Sequence, residues 1–281
     1  MTKRRTLAKE AYAEGVALHA GVRTRIHFFP APPNCGIIFH RTGEPGEIPA
    51  LWDNVAGDEQ LNTSLSANGI TIRLVEHVMA ALAGADIDDC RIEVDGPEPP
   101  ILDGAALAYL DVLDRAGAHE HAVARDAYRV RVAVEVADNG AHTTLRPATG
   151  REFHFEIEFP ETGKQTIAWM FTPQAFRSEI APARTFGRME DRERLAAAGY
   201  GRGADFTNTL VFEGGRLRNP GTQRFPDEFV RHKVLDAIGD LKLAGKPILG
   251  RFEGSRSSHR LNNWLLRALF ADPGNYEVVT V

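Results

Sequence analysis

Cysteine is scarce in this sequence: only Cys35 and Cys90 occur among 281 residues. Each lies in a short apolar stretch, so we predict two buried thiols. Two cysteines exclude both a disulfide framework and a site in which several thiolates hold a metal. Any metal that this chain binds must therefore use nitrogen and oxygen ligands.

The sequence also has no long apolar run and no excess of basic residues, and we expect no secretory leader. Residues 1–10 are basic, but no apolar segment follows them, and no run reaches the roughly 20 apolar residues that a membrane-spanning helix needs. We therefore expect a cytoplasmic protein with no integral membrane segment. The net charge of -5 gives no general attraction to nucleic acid, which is not an expected partner.

Nucleotide-binding signatures are missing as well. No predicted strand leads through a G-x-G-x-x-G turn into a helix, and G-x-x-x-x-G-K-[ST] does not occur. Gly199, Gly201 and Gly203 follow a helical pattern at 189–198 and are predicted to form a loop. Nucleotide-binding α/β folds therefore have no support.

The patterns that are present describe two halves of similar content. The composition, with 43% apolar and 25% charged residues, is that of a globular protein, and the length favours two domains, which we place at 1–122 and 123–281. The first half has predicted strands at 22–29, 35–41 and 91–94 and helices at 75–83, with Gly84 as C-cap, and 105–116. After a polar join at 117–126, the second half has predicted strands at 128–137, 143–147, 153–159 and 166–171 and helices from 227 and at 260–270.

One helix in the second half has the spacing of a metal site. The segment D-E-F-V-R-H-K-V-L-D-A-I-G-D-L-K-L-A-G (227–245) places His232, Asp236 and Asp240 four residues apart. Residues i and i+4 lie one above the other on a helix, so His232 and Asp236 can bind one ion. A solvated polar stripe is the ordinary alternative, but apolar residues cover most of this helix and favour buried, paired polar groups.

Further polar residues supply the other parts of a hydrolytic site. A zinc hydrolase needs three ligands, an open position for water and a separate general base. Glu76 and His77 open an apolar helix and offer a base and a ligand, and His259, just before the last helix, offers an acid. Thr185 and Phe186 offer a hydroxyl for carbonyl polarisation and an aromatic face for a sugar ring. Each signal alone is more often an ordinary helix end, a cap or surface residue, or a strand-to-loop junction, so the prediction rests on the combination.

Two other kinds of protein use a similar ligand set. Two histidines and a carboxylate also hold iron in non-haem oxygenases, although these typically take the set from a β-barrel rather than from a helical i, i+4 pair. A binding protein that uses a metal only for stability is the third reading. Such a protein has no need of Glu76, Thr185 and His259 together.

Six segments together resemble the UDP-3-O-acyl-N-acetylglucosamine deacetylase family, the zinc amidases of lipid A biosynthesis. They occur in order along nearly the whole chain: G-V-A-L-H-A-G (15–21), L-V-E-H-V-M-A-A-L (74–82), I-E-V-D-G-P-E-P-P-I-L-D-G (92–104), A-R-T-F-G (183–187), D-E-F-V-R-H-K-V-L-D-A-I-G-D-L (227–241) and S-S-H-R-L-N-N (257–263). The resemblance implies an α+β fold of two similar domains, each a β-sheet with two helices. The helices would pack against each other between the sheets, with strand-rich insertions at about 39–56 and 183–211 flanking the site.

The resemblance also implies roles for individual residues. Three match the zinc ligands: His77, His232 and Asp236. Four match catalytic groups: Glu76 as the base that activates water, Thr185 as the group that polarises the carbonyl with zinc, His259 as the acid that protonates the leaving amine, and Asp240 as the residue that orients His259. Six match substrate-binding positions: Lys233, Phe186, Arg256, Leu18, His19 and Asp103.

The expected reaction is hydrolysis of the N-acetyl amide of a small-molecule UDP-amino-sugar by a monomeric enzyme. Zn²⁺ is the expected cofactor, and Fe²⁺ stays an alternative because ligand type discriminates poorly between the two ions.

One departure from the family pattern affects the expected substrate. In the family, the second insertion, at about 183–211 here, builds an apolar passage for an acyl chain. In this sequence it carries polar residues, several at normally apolar positions: Arg188, Arg192, Arg202, Asp205 and Asn208. Buried charge beside an acyl chain is costly, so a paralogue that acts on a more polar N-acetylated sugar nucleotide stays the alternative.

Overall fold

The structure is a computed structural model that describes residues 1–57 and 61–281. In this part of the chain it is an α+β protein, as predicted, and it has six α-helices. The helices are α1 (Glu76–Gly84), α2 (Leu107–Ala116), α3 (Pro173–Ala175, continued by a π-helical turn), α4 (Arg192–Ala197), α5 (Glu228–Lys242) and α6 (His259–Ala271). None of the helices in the described residues is long and apolar enough to cross a membrane.

The strands of the first half form one main sheet and two small pairs. They are β1 (Lys3–Leu7), β2 (Ala11–Val16), β3 (Arg23–Pro30), β4 (Ile37–Arg41), β5 (Ile48–Pro49), β6 (Leu65–Ala67), β7 (Ile70–Ile72), β8 (Cys90–Val94) and β9 (Ala118–Ala124). The main sheet has the order β2-β3-β8-β4-β5, with β4 and β8 parallel. β6 pairs with β7, and β1 pairs with β9, antiparallel in both cases.

The second half is built around one larger sheet. Its strands are β10 (Asp126–Val130), β11 (Val134–Asp138), β12 (Ala141–Arg146), β13 (Arg151–Phe159), β14 (Gly163–Met170), β15 (Phe186–Arg188), β16 (Leu210–Glu213), β17 (Arg216–Leu217), β18 (Ile248–Ser255) and β19 (Tyr276–Thr280). In the large sheet β18 pairs with β10, β12 and β13, and β14 and β19 extend it. β15, β16 and β17 form a separate sheet within and just beyond the expected insertion at 183–211.

Helices from the two halves pack against each other, as the resemblance implies, and α1 contacts α5 most closely. All nine residues of α1 are buried. Gly239 of α5 permits the close approach, because a Cβ atom there would lie 2.0 Å from the backbone oxygen of Glu76. The predicted C-cap role of Gly84 is wrong: this glycine is the last residue of α1, where a Cβ atom would lie 2.2 Å from the ring of Phe176.

Three other predictions need correction. The predicted strand at 128–137 is two strands, since β10 ends at Val130 and β11 begins at Val134 in a different position of the sheet. The polar join at 117–126 contains β9, a largely exposed strand that pairs, among the described residues, with β1 alone. Cys90 is buried, but Cys35 is only half-buried; both are free thiols. The domain division at 122 falls within β9 and stays a prediction.

An ion-pair cluster of Arg4, Asp86, Asp88, Asp89 and Arg125 lies just beyond the end of α1. Arg4 binds both oxygens of Asp89, at 2.6 and 3.0 Å, and Arg125 binds Asp86 at 2.6 Å and Asp88 at 2.6 and 2.9 Å. Paired in this way, the buried charges connect the N-terminal strand, the segment before β8 and the start of β10.

Candidate metal centre

His77, His232 and Asp236 form the metal-ligand cluster of the described residues, with one ligand atom from each within 4.8 Å of the others. All three are buried. Asp236 Oδ1 lies 3.6 Å from His77 Nε2 and 3.3 Å from His232 Nε2, and the two rings meet edge to face. The predicted ligands therefore converge from α1 and α5, on the side where the two helices touch.

The His232 ring is oriented by the backbone. Its Nδ1 lies 3.0 Å from the carbonyl oxygen of Ala183, which can only accept a hydrogen bond, so Nδ1 carries the proton and Nε2 presents a lone pair. Burial lowers the pKa of His232 to about 3, so the ring is neutral near pH 7. A neutral imidazole held by its second nitrogen is the form in which histidine binds metals.

Asp236 has one oxygen in a salt bridge and one free for a ligand. Its Oδ2 accepts a hydrogen bond from Lys233 Nζ at 2.8 Å, whereas Oδ1 has no hydrogen-bond partner within the described residues. Burial alone would raise the pKa of Asp236, but the adjacent Lys233 ammonium holds it well below the usual range. An ionised, buried oxygen without a donor, facing two imidazole nitrogens, fits a divalent cation with nitrogen and oxygen ligands.

Glu76 begins α1 and is held by the segment that precedes β6. Its Oε2 accepts a hydrogen bond from the backbone N–H of Thr63 at 3.0 Å. Burial raises the pKa of the carboxyl group. A carboxylate whose pKa is shifted toward neutrality is better suited to accept a proton from water.

His259 begins α6 and is fixed by Asp240. Its Nδ1 donates to Asp240 Oδ2 at 2.9 Å, so Nε2 points away, 3.9 Å from both Glu76 Oε1 and Asp236 Oδ2. Burial opposes protonation, but the carboxylates of Asp240 and Glu76 outweigh it and raise the pKa of His259 to about 9. The ring is then protonated near pH 7 and can donate a proton from Nε2.

Two residues of this site have no counterpart in the predictions from the sequence. Thr63 Oγ1 donates to Asp240 Oδ1 at 2.5 Å, and Asn262 Nδ2 donates to Asp240 Oδ2 at 2.8 Å. Asn262 lies three residues after His259 on α6, so helical periodicity alone could have placed it on the same face. Thr63 lies outside any helix or strand, in a segment without a recognisable motif.

Several predicted substrate residues lie beside the cluster. The Phe186 ring packs against His232, 6.2 Å between centroids, and the Lys233 ammonium lies 5.7 Å from the centre of the same ring. Thr185 precedes β15, and its backbone N–H donates to Gly104 O at 2.8 Å. These positions agree with substrate contact, while the roles stay predictions.

The glycine-rich loop predicted at 199–203 covers the turn that contains Leu18 and His19. Gly203 N–H donates to Leu18 O at 2.9 Å, and Gly201 N–H donates to His19 Nδ1 at 3.3 Å. Burial and the nearby Arg73 lower the pKa of His19 to about 4, so this ring is neutral. This loop of the second half is thus hydrogen-bonded to the turn of the first half that contains Leu18 and His19.

Two predicted substrate residues are engaged elsewhere in the protein. Asp103 Oδ2 accepts from Arg224 Nη2 at 2.8 Å, and Arg256 forms an exposed ion pair with Glu158. A substrate would have to share or replace these partners. Contact of Asp103 and Arg256 with substrate therefore stays a prediction.

The five polar residues that distinguish this insertion from the family pattern introduce no buried charge. Four of them are exposed: Arg188, Arg192, Arg202 and Asp205. Arg188 pairs with Glu161, and Arg202 donates to the backbone oxygen of Ala196. Asn208 is buried but uncharged, and it donates to the backbone oxygen of Gly203 at 3.0 Å.

A buried two-histidine, one-carboxylate cluster, with a separate glutamate and a carboxylate-bound histidine beside it in an α+β fold, defines a metal-dependent hydrolase. Comparison with known proteins gives the particular group. The model of the UDP-3-O-acyl N-acetylglycosamine deacetylase family matches residues 4–271, and the chain belongs to this family.

Curated relatives named UDP-3-O-acyl-N-acetylglucosamine deacetylase align with nearly the whole chain. The protein of Myxococcus xanthus (strain DK1622) is 42% identical over 279 residues, which cover 98% of this chain and 88% of the relative. That of Phenylobacterium zucineum (strain HLK1) is 44% identical over 281 residues, covering 98% and 96%. That of Neisseria meningitidis serogroup A is 38% identical over 283 residues, covering 98% and 92%.

Proposed function

We propose that this chain hydrolyses the N-acetyl amide of a UDP-3-O-acyl-N-acetylglucosamine and releases acetate, as a step of lipid A biosynthesis. The relatives carry the name of this activity over nearly their full lengths. Within the site, the observation that carries the proposal is the position of His259 Nε2, 3.9 Å from both Glu76 and Asp236. An acid and a base thus face the same small volume beside three ligand atoms.

We propose Zn²⁺ as the ion that His77, His232 and Asp236 hold. Two imidazole nitrogens and one carboxylate oxygen suit its tetrahedral preference and leave a fourth position open. When bound, such a cation supplies Lewis-acid chemistry, since it lowers the pKa of a water molecule and polarises a carbonyl group. The same three ligands accept Fe²⁺, which keeps the native metal a separate question.

The protein side chains perform the proton transfers of this mechanism. Glu76 accepts a proton from the attacking water as the water oxygen bonds to the acetyl carbonyl carbon. The Thr185 hydroxyl donates toward the developing oxyanion. His259 Nε2 then donates its proton to the sugar nitrogen while the C–N bond breaks, giving an amine and acetic acid. The proton held by Glu76 restores His259 through solvent, so the cycle is balanced.

Substrate placement rests on the surface around the cluster. Phe186 offers a ring face and Lys233 a cation within 5.7 Å of it, which together suit a sugar that carries a diphosphate. The alternative of a more polar sugar nucleotide has less support, because the four charged residues that suggested it are exposed: Arg188, Arg192, Arg202 and Asp205. The partly exposed Leu195, Phe206 and Val211 of the insertion are available for an acyl chain.

A two-substrate assay tests this proposal. Purified protein with added Zn²⁺ is incubated with UDP-3-O-acyl-N-acetylglucosamine or with UDP-N-acetylglucosamine, and the released acetate is measured. We expect release from the acylated substrate alone. Release from the unacylated sugar nucleotide alone would favour the paralogue, and no release from either would refute the amidase activity.

A further inference from the structure

Thr63 is a buried residue to which the proposed mechanism assigns no role, yet its N–H and its hydroxyl both bind carboxylates of the site. Its backbone N–H donates to Glu76 Oε2 at 3.0 Å, and its hydroxyl donates to Asp240 Oδ1 at 2.5 Å. Its carbonyl oxygen accepts from the N–H of Val75 at 3.1 Å, directly before Glu76. One residue thus connects the base on α1 with the carboxylate on α5 that holds His259.

The hydroxyl of Thr63 completes the hydrogen bonds of Asp240. Asp240 Oδ2 accepts from His259 Nδ1 at 2.9 Å and from Asn262 Nδ2 at 2.8 Å, so Thr63 is the donor to the other oxygen. Asp240 is buried, and a buried carboxylate oxygen without a donor is costly. If the hydroxyl is removed, the carboxylate rotates toward its remaining donors, and the direction in which it holds the His259 ring changes with it.

We propose that Thr63 is a positioning residue of the deacetylase reaction, an inference that rests on the proposed function. Its N–H holds Glu76 and its hydroxyl sets the plane of the Asp240 carboxylate. Through these contacts it fixes the separation between the base oxygen and His259 Nε2. Thr63 itself does not touch the reacting atoms.

The hydroxyl is tested separately from the backbone by Thr63→Val, which keeps the shape and the N–H and removes the O–H. We expect kcat to fall about 10-fold, the effect of losing one hydrogen bond to a charged group, with KM within about 2-fold and one metal ion per chain. Thr63→Ser, which restores the O–H, should return kcat to within about 3-fold of the wild type. If Thr63→Val does not fold, Thr63→Ala makes the same comparison.

Thr24→Val is the matched control. Thr24 is also 3% exposed and also donates to a carboxylate, that of Asp95 at 3.1 Å, outside the metal centre. Its replacement removes a buried hydroxyl of the same kind and should leave kcat unchanged. A kcat for Thr63→Val equal to the wild type, or a Thr63→Ser variant as slow as Thr63→Val, would overturn the proposal.

A spectroscopic measurement tests the contact without turnover. In protein labelled with ¹⁵N-histidine, the Nδ1–H signal of His259 reports its hydrogen bond to Asp240, and His259→Ala identifies it. We expect this signal to shift or broaden in Thr63→Val and to stay unchanged in Thr24→Val. An unchanged signal in Thr63→Val contradicts the positioning role. If the wild-type protein releases no acetate, the proposed function fails, while this comparison still decides whether Thr63 orients His259.

Discussion

The protein buries polar and charged groups in two places near α1, and the two differ in how their atoms are paired. In the ion-pair cluster, Asp89 forms a salt bridge with Arg4, and Asp86 and Asp88 both form salt bridges with Arg125. In the metal-ligand cluster, Lys233 Nζ binds Asp236 Oδ2, but Asp236 Oδ1 has no hydrogen-bond partner in the part of the chain described. Each of the three carboxylates in the first cluster receives a guanidinium, whereas one oxygen of Asp236 is left without a donor.

This difference in pairing separates buried groups that stabilise the fold from buried groups that are suited to bind a ligand. A buried polar atom without a partner costs free energy, and a protein keeps it where another molecule supplies the missing interaction. Pairing therefore distinguishes a site from a structural ion pair, even though both are buried and both connect distant segments. The two clusters should therefore respond differently to mutation.

The largest effect is expected for His232→Ala. Removal of one of three ligands should abolish metal binding, and with it hydrolysis, because the remaining two donors form a far weaker site. Metal per chain is measured by inductively coupled plasma mass spectrometry after dialysis. His154→Ala, on β13 outside the cluster, should keep a full metal complement. A His232→Ala protein that retains one ion per chain would show that the ligand assignment is wrong.

A smaller loss is expected when the metal stays but proton transfer is removed. Glu76→Gln and His259→Ala should lower kcat by about 10²-fold or more and leave metal content near one ion per chain. The measurements are steady-state acetate release and metal analysis of the same preparations. Unchanged turnover in either variant would refute the role given to that residue.

Two glycines that contact opposite ends of α1 sharpen the comparison further: Gly239 of α5 packs against its first residue, and Gly84 is its last residue. Gly239→Ala would place a methyl group 2.0 Å from Glu76 O and push α1 away from α5, so we expect kcat to fall about 10-fold per folded molecule. Gly84→Ala meets the Phe176 ring at 2.2 Å, at the other end of α1, and should cost about 1–3 kcal/mol of stability with kcat nearly unchanged. Equal losses of kcat in both variants would mean that the helix as a whole, and not the Glu76 end, sets activity.

The smallest effect on catalysis is expected in the ion-pair cluster. Arg125→Met removes the shared guanidinium from the buried Asp88 and the half-buried Asp86, which should lower the free energy of unfolding by about 3–5 kcal/mol. Metal content and kcat per folded molecule should stay at the wild-type level. Urea denaturation with and without metal, together with acetate release, makes the measurement. A selective loss of metal in this variant would show that the two clusters are coupled.

The elements that escaped prediction do so for reasons visible in the structure. β18, the central strand of the large sheet, contains Gly250 and Gly254, and glycine in a sequence suggests a loop. Both glycines permit close packing: a Cβ atom would lie 2.7 Å from Val130 Cγ2 at Gly250 and 2.9 Å from the Phe252 ring at Gly254. β9 escaped because an exposed strand carries polar residues that resemble a linker.

The candidate site was predicted from the sequence where its residues lie on helices with a regular period. His232, Asp236 and Asp240 follow the period of α5, and the structure brings them to one side with Glu76, His77 and His259. Thr63 could not be found in this way. Its function depends on two long-range contacts, to α1 and to α5, which local periodicity does not encode.

The hydrogen bond between Thr63 and Asp240 joins positions 177 residues apart in the chain, and this has a consequence for biosynthesis. At a translation rate of about 5–20 residues per second, roughly 9–35 s separate the synthesis of the two partners. With the proposed ligands, a nascent chain that has not reached α5 offers one of the three, His77, and would not retain the ion. We therefore expect metal loading to be a late event of folding, which begins only after α5 has left the ribosome and docked on α1.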